Sequence, residues 1–121
     1  MKKLKIAVLT GIFATSIATS AFAASLSFSE TSTELEKSSS LITAVGTTVG
    51  GSGTGYAKAY TETYINGVYY TSDDSGKVNG KVATTRAKVA YGKGKVTAKT
   101  DHRIWDSSGE KSISDVSRAT W

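Results

Sequence analysis

The chain has 121 residues, of which 15 are basic and 10 acidic, giving a formal net charge of +5. It contains no cysteine and no proline. Without cysteine there can be no disulfide, thiolate metal site, thiol nucleophile or lipid attached at a cysteine. The length predicts one domain with a modest core, stabilised by packing and by sheet hydrogen bonds.

The first 23 residues have the layout of a secretory signal peptide. Three lysines among the first five residues precede an apolar run over residues 6–17. Small residues then frame a cleavage point between Ala23 and Ala24. The apolar run is too short, and too often interrupted by hydroxyl side chains, to cross a bilayer. We therefore expect export from a bacterial cytoplasm, to the medium or the periplasm depending on the host envelope. We expect no transmembrane segment in the mature chain.

Residues 24–40 are polar, serine-rich and acidic. This composition predicts a flexible segment ahead of the folded domain. The spacing Thr33-x-x-Glu36 is a capping-box pattern, so a short helix over about residues 30–37 is the alternative. The β-rich domain is expected to cover residues 41–121.

From residue 41 onward the chain reads as about six short strands separated by turn residues. Asn66-Gly67 is the strongest turn signal, because both central residues of a type I′ hairpin turn need positive φ. Six strands with such turns and no long helix predict an all-β antiparallel domain, either a small sandwich or a barrel. The predicted strands cover residues 41–49, 56–65, 68–72, 77–91 (one strand, or two divided at Asn79-Gly80), 95–105 and 111–121.

The inventory of reactive side chains argues against catalysis. His102 is the only histidine, and its neighbour Asp101 must point to the opposite face of a strand. A histidine that alternates with Val96, Ala98 and Ile104 is typical of a half-buried residue whose hydrogen bonds are satisfied. We expect no enzyme activity, no cofactor and no metal site.

The tyrosines are the best candidates for a binding surface. Tyr56, Tyr60 and Tyr64 lie on one face of a predicted strand, and Tyr69 or Tyr70 should lie across the hairpin from them. If exposed, such a ladder suits sugar rings or another protein. If buried, it is the core. The opposite face consists of small alanines and threonines with Ile65, which favours packing of the tyrosine face.

A basic stretch follows the tyrosines. Residues 77–99 contain seven basic side chains and no acidic one. Such a stretch can attract anionic lipid or wall polymer, although outward-facing lysines on alternating strands also keep a sheet soluble. Nucleic acid is not expected for an exported protein. The basic candidates for binding are Lys88, Lys93, Lys95 and Lys99.

Two functions fit these features. The first is a noncatalytic secreted module that binds a cell-envelope polymer, anionic lipid or another protein surface, or that self-associates. The second is an antimicrobial that acts on the envelope of neighbouring cells. The layout of an export leader, a short cysteine-free β-rich chain with lysine and glycine turns, and the aromatic end Trp121 is similar to that of the lactococcin-type small bacteriocins. That similarity lies in the layout and implies the second function.

Overall fold

A computed structural model describes residues 5–7, 26–90 and 94–121. The described residues form antiparallel strands throughout and contain no helix. The strands are β1 (Lys5–Ala7), β2 (Phe28–Ser38), β3 (Leu41–Gly50), β4 (Thr54–Ile65), β5 (Val68–Asp74), β6 (Val78–Asn79), β7 (Val82–Ala90), β8 (Val96–Asp106) and β9 (Ser112–Thr120).

The strands form two sheets that pack face to face. Sheet A has the order β1-β2-β3-β7, and sheet B has the order β5-β4-β8-β9, with the short β6 also paired to β4. Contacts between the sheets join β3 to β4, β4 to β7 and β2 to β9. The predicted all-β fold is confirmed, and of its two forms the chain adopts the sandwich.

The turns lie where the sequence predicts them. Asn66 and Gly67 have φ values of 54° and 84°, which is the conformation required by the predicted β4–β5 hairpin. Gly80 has a φ of 118° and divides the predicted 77–91 strand into β6 and β7. The strand boundaries from residue 41 onward agree with the prediction to within a few residues.

The N-terminal segment differs from the prediction. Residues 28–38 form β2, which pairs with β3 along its whole length and buries Thr33 and Leu35. Alternation of inward Thr31, Thr33 and Leu35 with outward polar residues accounts for the strand, because this period of two outweighs a serine-rich composition. Of the predicted signal peptide, residues 5–7 form β1 along the free edge of β2, and the cleavage point at Ala23 and Ala24 lies outside the described residues.

The core consists of small side chains arranged in three zones. At one end lies an apolar cluster that contains Leu35, Ile42 and Val89, and at the other a cluster that contains Leu26, Ala57 and Ile104. Between them is a layer of buried polar side chains, here named the hydroxyl network: Thr33, Thr48, Thr61, Thr85, Thr100, His102 and Ser117.

Hydrogen bonds connect the hydroxyl network across both sheets. Thr61 Oγ1 lies 2.6 Å from Thr85 Oγ1 and 2.8 Å from Thr100 Oγ1. Thr33 Oγ1 donates to Thr100 Oγ1 at 2.8 Å and lies 2.6 Å from Ser117 Oγ. These bonds give the buried hydroxyls partners. A buried hydroxyl without a partner would lower the stability of the fold by about 1–3 kcal/mol.

Gly46 is the position on β3 that allows the network to close. A Cβ atom at this residue would overlap the hydroxyl oxygens of Thr61 and Thr100. Only glycine therefore lets sheet A approach these threonines on sheet B.

Candidate functional site

The candidate site is the outer face of sheet B, where the tyrosines of β4 lie. Tyr56, Tyr60 and Tyr64 are half-buried and face outward, while the alternating residues Ala57 to Thr63 are buried. The expectation that the tyrosine face forms the core is therefore wrong. Sheet A also presents small inward side chains, such as Ala44, so the two sheets approach too closely to enclose tyrosine rings.

Neighbouring strands extend this row of aromatic rings. Tyr69 on β5 is the register partner of Tyr64, and the two rings meet edge to face with centroids 6.2 Å apart. Trp105 on β8 is the register partner of Tyr56. We name the outward side chains of Tyr56, Tyr60, Tyr64, Tyr69 and Trp105 the aromatic face.

Trp105 was not among the residues predicted for the site. The signal that could have found it is the alternation of β8, which puts Trp105 on the outward side, opposite to Ile104. Tyr70 is 46% exposed but has no partner on β4, because the register shifts between Thr63 and Tyr64. Tyr70 is therefore a bulge residue beside the aromatic face rather than part of the ladder.

A carboxylate holds two of the tyrosines in place. Tyr64 donates its hydroxyl proton to Glu62 Oε1 at 2.6 Å, and Tyr60 donates to Glu62 Oε2 at 3.1 Å. The bond to Glu62 raises the pKa of Tyr64 to about 12, and the bond from Tyr64 lowers the pKa of Glu62. Lys99 Nζ lies 3.8 Å from Glu62 Oε1. This part of the aromatic face is therefore preorganised, because both tyrosine hydroxyls are directed to Glu62.

The other end of the aromatic face is cationic. Lys77 Nζ lies 4.5 Å from the ring centroid of Trp105 and 4.9 Å from that of Tyr56. Arg103 Cζ lies 5.8 Å from the Trp105 ring. Within the described chain, neither Lys77 nor Arg103 forms an ion pair with a carboxylate. Their charges are held against aromatic rings and remain available to an anion.

A shallow cavity of about 450 Å³ opens between the two ends. Tyr60 and Trp105 supply aromatic surface to its wall, Lys58 and Arg103 supply cations, and Asp101 and Asp115 supply carboxylates. Lys58 is already paired with Asp74 at 3.8 Å, so Arg103 is the cation with free charge on this wall. The lining combines ring surfaces and hydrogen-bonding groups with two cations and two carboxylates.

The predicted basic residues do not form one surface. Lys88 faces outward from sheet A, whereas Lys99 faces outward from sheet B and lies within 4.0 Å of both Glu62 and Asp101. Lys95 is exposed just before β8, and Lys93 lies outside the described residues. The cations at the aromatic face are Lys77 and Arg103, which the sequence interpretation did not select as binding residues.

His102 lies in the hydroxyl network and not at the surface. Its Nδ1 is 2.7 Å from Thr48 Oγ1, and its Nε2 is 2.8 Å from Ser117 Oγ. The side chain is fully buried, rather than half-buried as predicted, and both nitrogens have partners. Among the residues that the structure describes, no group of histidine and carboxylate side chains is arranged to hold a metal ion.

Comparisons with known proteins identify no relative. No family model, no curated protein and no solved structure matches the chain. The described residues include no helix that is long and apolar enough to cross a membrane.

Proposed function

We propose that this chain is a secreted, noncatalytic bacterial protein that binds an anionic polymer of the cell envelope through its aromatic face. The observation that carries the proposal is the contact of Trp105 and Tyr56 with two cations, Lys77 and Arg103, that form no ion pair with a carboxylate in the described part of the chain. Rings of this kind pack against sugar rings, and Arg103 suits bidentate contact with a carboxylate or phosphate group.

The geometry favours an extended ligand over a compact one. The aromatic face follows strands β4 and β8, and the cavity between its ends is open and shallow. Small molecules are usually held in enclosed pockets that bury most of their surface. A polymer with several similar units could instead contact the tyrosine end and the cationic end together, gaining affinity from more than one weak contact.

Binding to defined polymers tests the proposal. The purified protein would be mixed with bacterial cell wall before and after removal of its phosphate-containing polymers, with soluble polygalacturonate, and with neutral amylose. We expect binding to the anionic polymers and little to amylose, and we expect salt to weaken it. No binding to any anionic polymer would refute the proposal.

Two substitutions locate the binding surface. Trp105→Ala and Arg103→Ser are each expected to weaken binding about tenfold or more, since aromatic and arginine anchors usually dominate an interface. Arg86→Ser on the outer face of sheet A is the matched control and should leave polymer binding by single protomers unchanged. Equal losses for Arg103→Ser and Arg86→Ser would show only a general charge effect.

Killing of related strains by the purified protein, without polymer binding, would favour the antimicrobial interpretation instead.

A further inference from the structure

The outer face of sheet A has a charge pattern that the proposed polymer binding does not use. Residues of β2 supply an acidic edge, and residues of β7 supply a basic edge. Between them β3 contributes outward valines and threonines. We name this surface the dipolar face: Glu30, Glu34 and Glu36 on β2, Thr43, Val45, Thr47 and Val49 on β3, and Arg86 and Lys88 on β7.

The strand register places these charges in matched rows. Glu34 is opposite Val45, and Val45 is opposite Arg86. One row along, Glu36 is opposite Thr43, which is opposite Lys88. Glu34, Arg86 and Lys88 are exposed, and among the described residues no ion pair joins the acidic edge to the basic edge.

Such a face is complementary to itself in one orientation. A two-fold axis parallel to β3 turns a second copy over, so that its β2 lies above β7 of the first copy. Residue height along the strands is unchanged by this operation. Glu34 of each copy then faces Arg86 of the other, and Glu36 faces Lys88. The alternative in-plane axis, perpendicular to the strands, would place β2 on β2 and oppose like charges.

Distances and apolar content are compatible with this arrangement. Stacked sheets lie about 10 Å apart, a gap that glutamate and arginine side chains can bridge from opposite sides. Val82 is 53% exposed and Leu41 is 38% exposed at the two ends of the face, whereas Val45 at its centre is 8% exposed. Charge pairing therefore contributes more to recognition here than apolar burial does.

We propose that two copies of this chain associate through the dipolar face as an isologous dimer. Three strands of about ten residues span roughly 30 Å by 15 Å, which is smaller than the standard interface. The dimer is accordingly weak, with a dissociation constant on the order of 10 μM, and it is sensitive to salt. Both aromatic faces point away from the interface, so the dimer presents two polymer-binding surfaces.

Sedimentation of the purified protein over a concentration series tests the dimer. The sedimentation coefficient should rise with concentration at low salt, and 1 M salt should reverse the rise. Arg86→Glu should weaken association about tenfold or more, because it opposes two like charges at each of two symmetric contacts. Arg118→Glu, an exposed arginine change on β9 of sheet B, is the matched control and should have no comparable effect.

A mixing experiment tests whether opposite charges on the dipolar face drive association. One variant carries Glu34→Arg and Glu36→Lys, and the other carries Arg86→Glu and Lys88→Glu. Each variant alone should remain monomeric, and an equimolar mixture should form heterodimers, because each acidic edge then faces a basic edge of the partner. A monomeric wild-type protein at all concentrations would overturn the proposal, as would a mixture that stays monomeric. Polymer binding by single protomers is measured separately, so either proposal can fail alone.

Discussion

The buried surroundings of His102 determine the protonation of its ring. The Thr48 hydroxyl donates its proton to the Lys58 carbonyl oxygen at 3.0 Å, so Nδ1–H of His102 donates to Thr48 and Nε2 is the acceptor nitrogen of the neutral ring. Ser117 Oγ lies 2.8 Å from Nε2 and 2.6 Å from Thr33 Oγ1, and its single proton serves one of these two partners. Burial lowers the pKa of His102 to about 4, because the charged ring would lose its hydration.

This pKa predicts acid sensitivity. The unfolded chain binds a proton at His102 near pH 6.5, whereas the folded chain does so only near pH 4. Between these values the unfolded state holds more protons, so stability falls as the pH decreases from 6.5 towards 4. The loss should be on the order of 3 kcal/mol and is measured by urea unfolding at a series of pH values. His102→Gln should be less stable at pH 7 and should lose less stability over this range. An equal slope in the variant would assign the acid sensitivity to carboxylates.

At the scale of the strand, the side chains of β4 alternate between the core and the aromatic face. Its inward residues build the core, and its outward residues carry the tyrosines that Glu62 aligns. A carboxylate that accepts from two tyrosine hydroxyls restricts both rings without enclosing them. The aromatic face can therefore be ordered while it remains open to a ligand.

Ionisation of Tyr64 measures that alignment. Its pKa of about 12 reflects the proton that it donates to Glu62. Glu62→Gln removes the negative charge, so the pKa of Tyr64 should fall towards its ordinary value of about 10. Resolved ring signals in carbon NMR over a pH titration would follow each tyrosine. Tyr70, outside this cluster, serves as the internal control. An unchanged pKa of Tyr64 in the variant would show that Glu62 does not hold its hydroxyl in solution.

The strands were predictable from sequence, but their orientation was not. Period-two alternation and turns such as Asn66-Gly67 are local signals, and both predicted β4 and β5 correctly. Which face of β4 points inward depends on the size of the side chains on the opposite sheet, such as Gly46 and Ala44. That information lies far away in the chain. Trp105 and Lys77 were missed for the same reason, since only the register of β4, β6 and β8 brings them to Tyr56.

At the scale of the whole molecule, β2 makes the N-terminal segment part of the fold. It pairs with β3 in sheet A, and it contacts β9 of the other sheet. One of these contacts is the hydrogen bond that Thr31 Oγ1 donates to Asp115 Oδ2 at 3.1 Å. Leu35 belongs to an apolar cluster, and Thr33 joins the hydroxyl network. The domain therefore begins before residue 41, and its two sheets depend on each other through this strand.

Truncation distinguishes this view from a flexible N-terminal segment. A chain of residues 41–121 lacks β2, which leaves one edge of β3 without its strand partner, uncovers the inward side of β9 and deprives Ser117 and Thr100 of Thr33. Loss of Leu35 alone is expected to cost about 2–5 kcal/mol, a large part of the usual 5–15 kcal/mol stability of a domain. The truncated chain should therefore be unfolded by circular dichroism and by amide NMR. A chain of residues 24–121 lacks only the three residues of β1 from the described structure, so it should fold with nearly the stability of the full chain. Cooperative unfolding of the 41–121 chain would instead place the domain boundary where its composition changes.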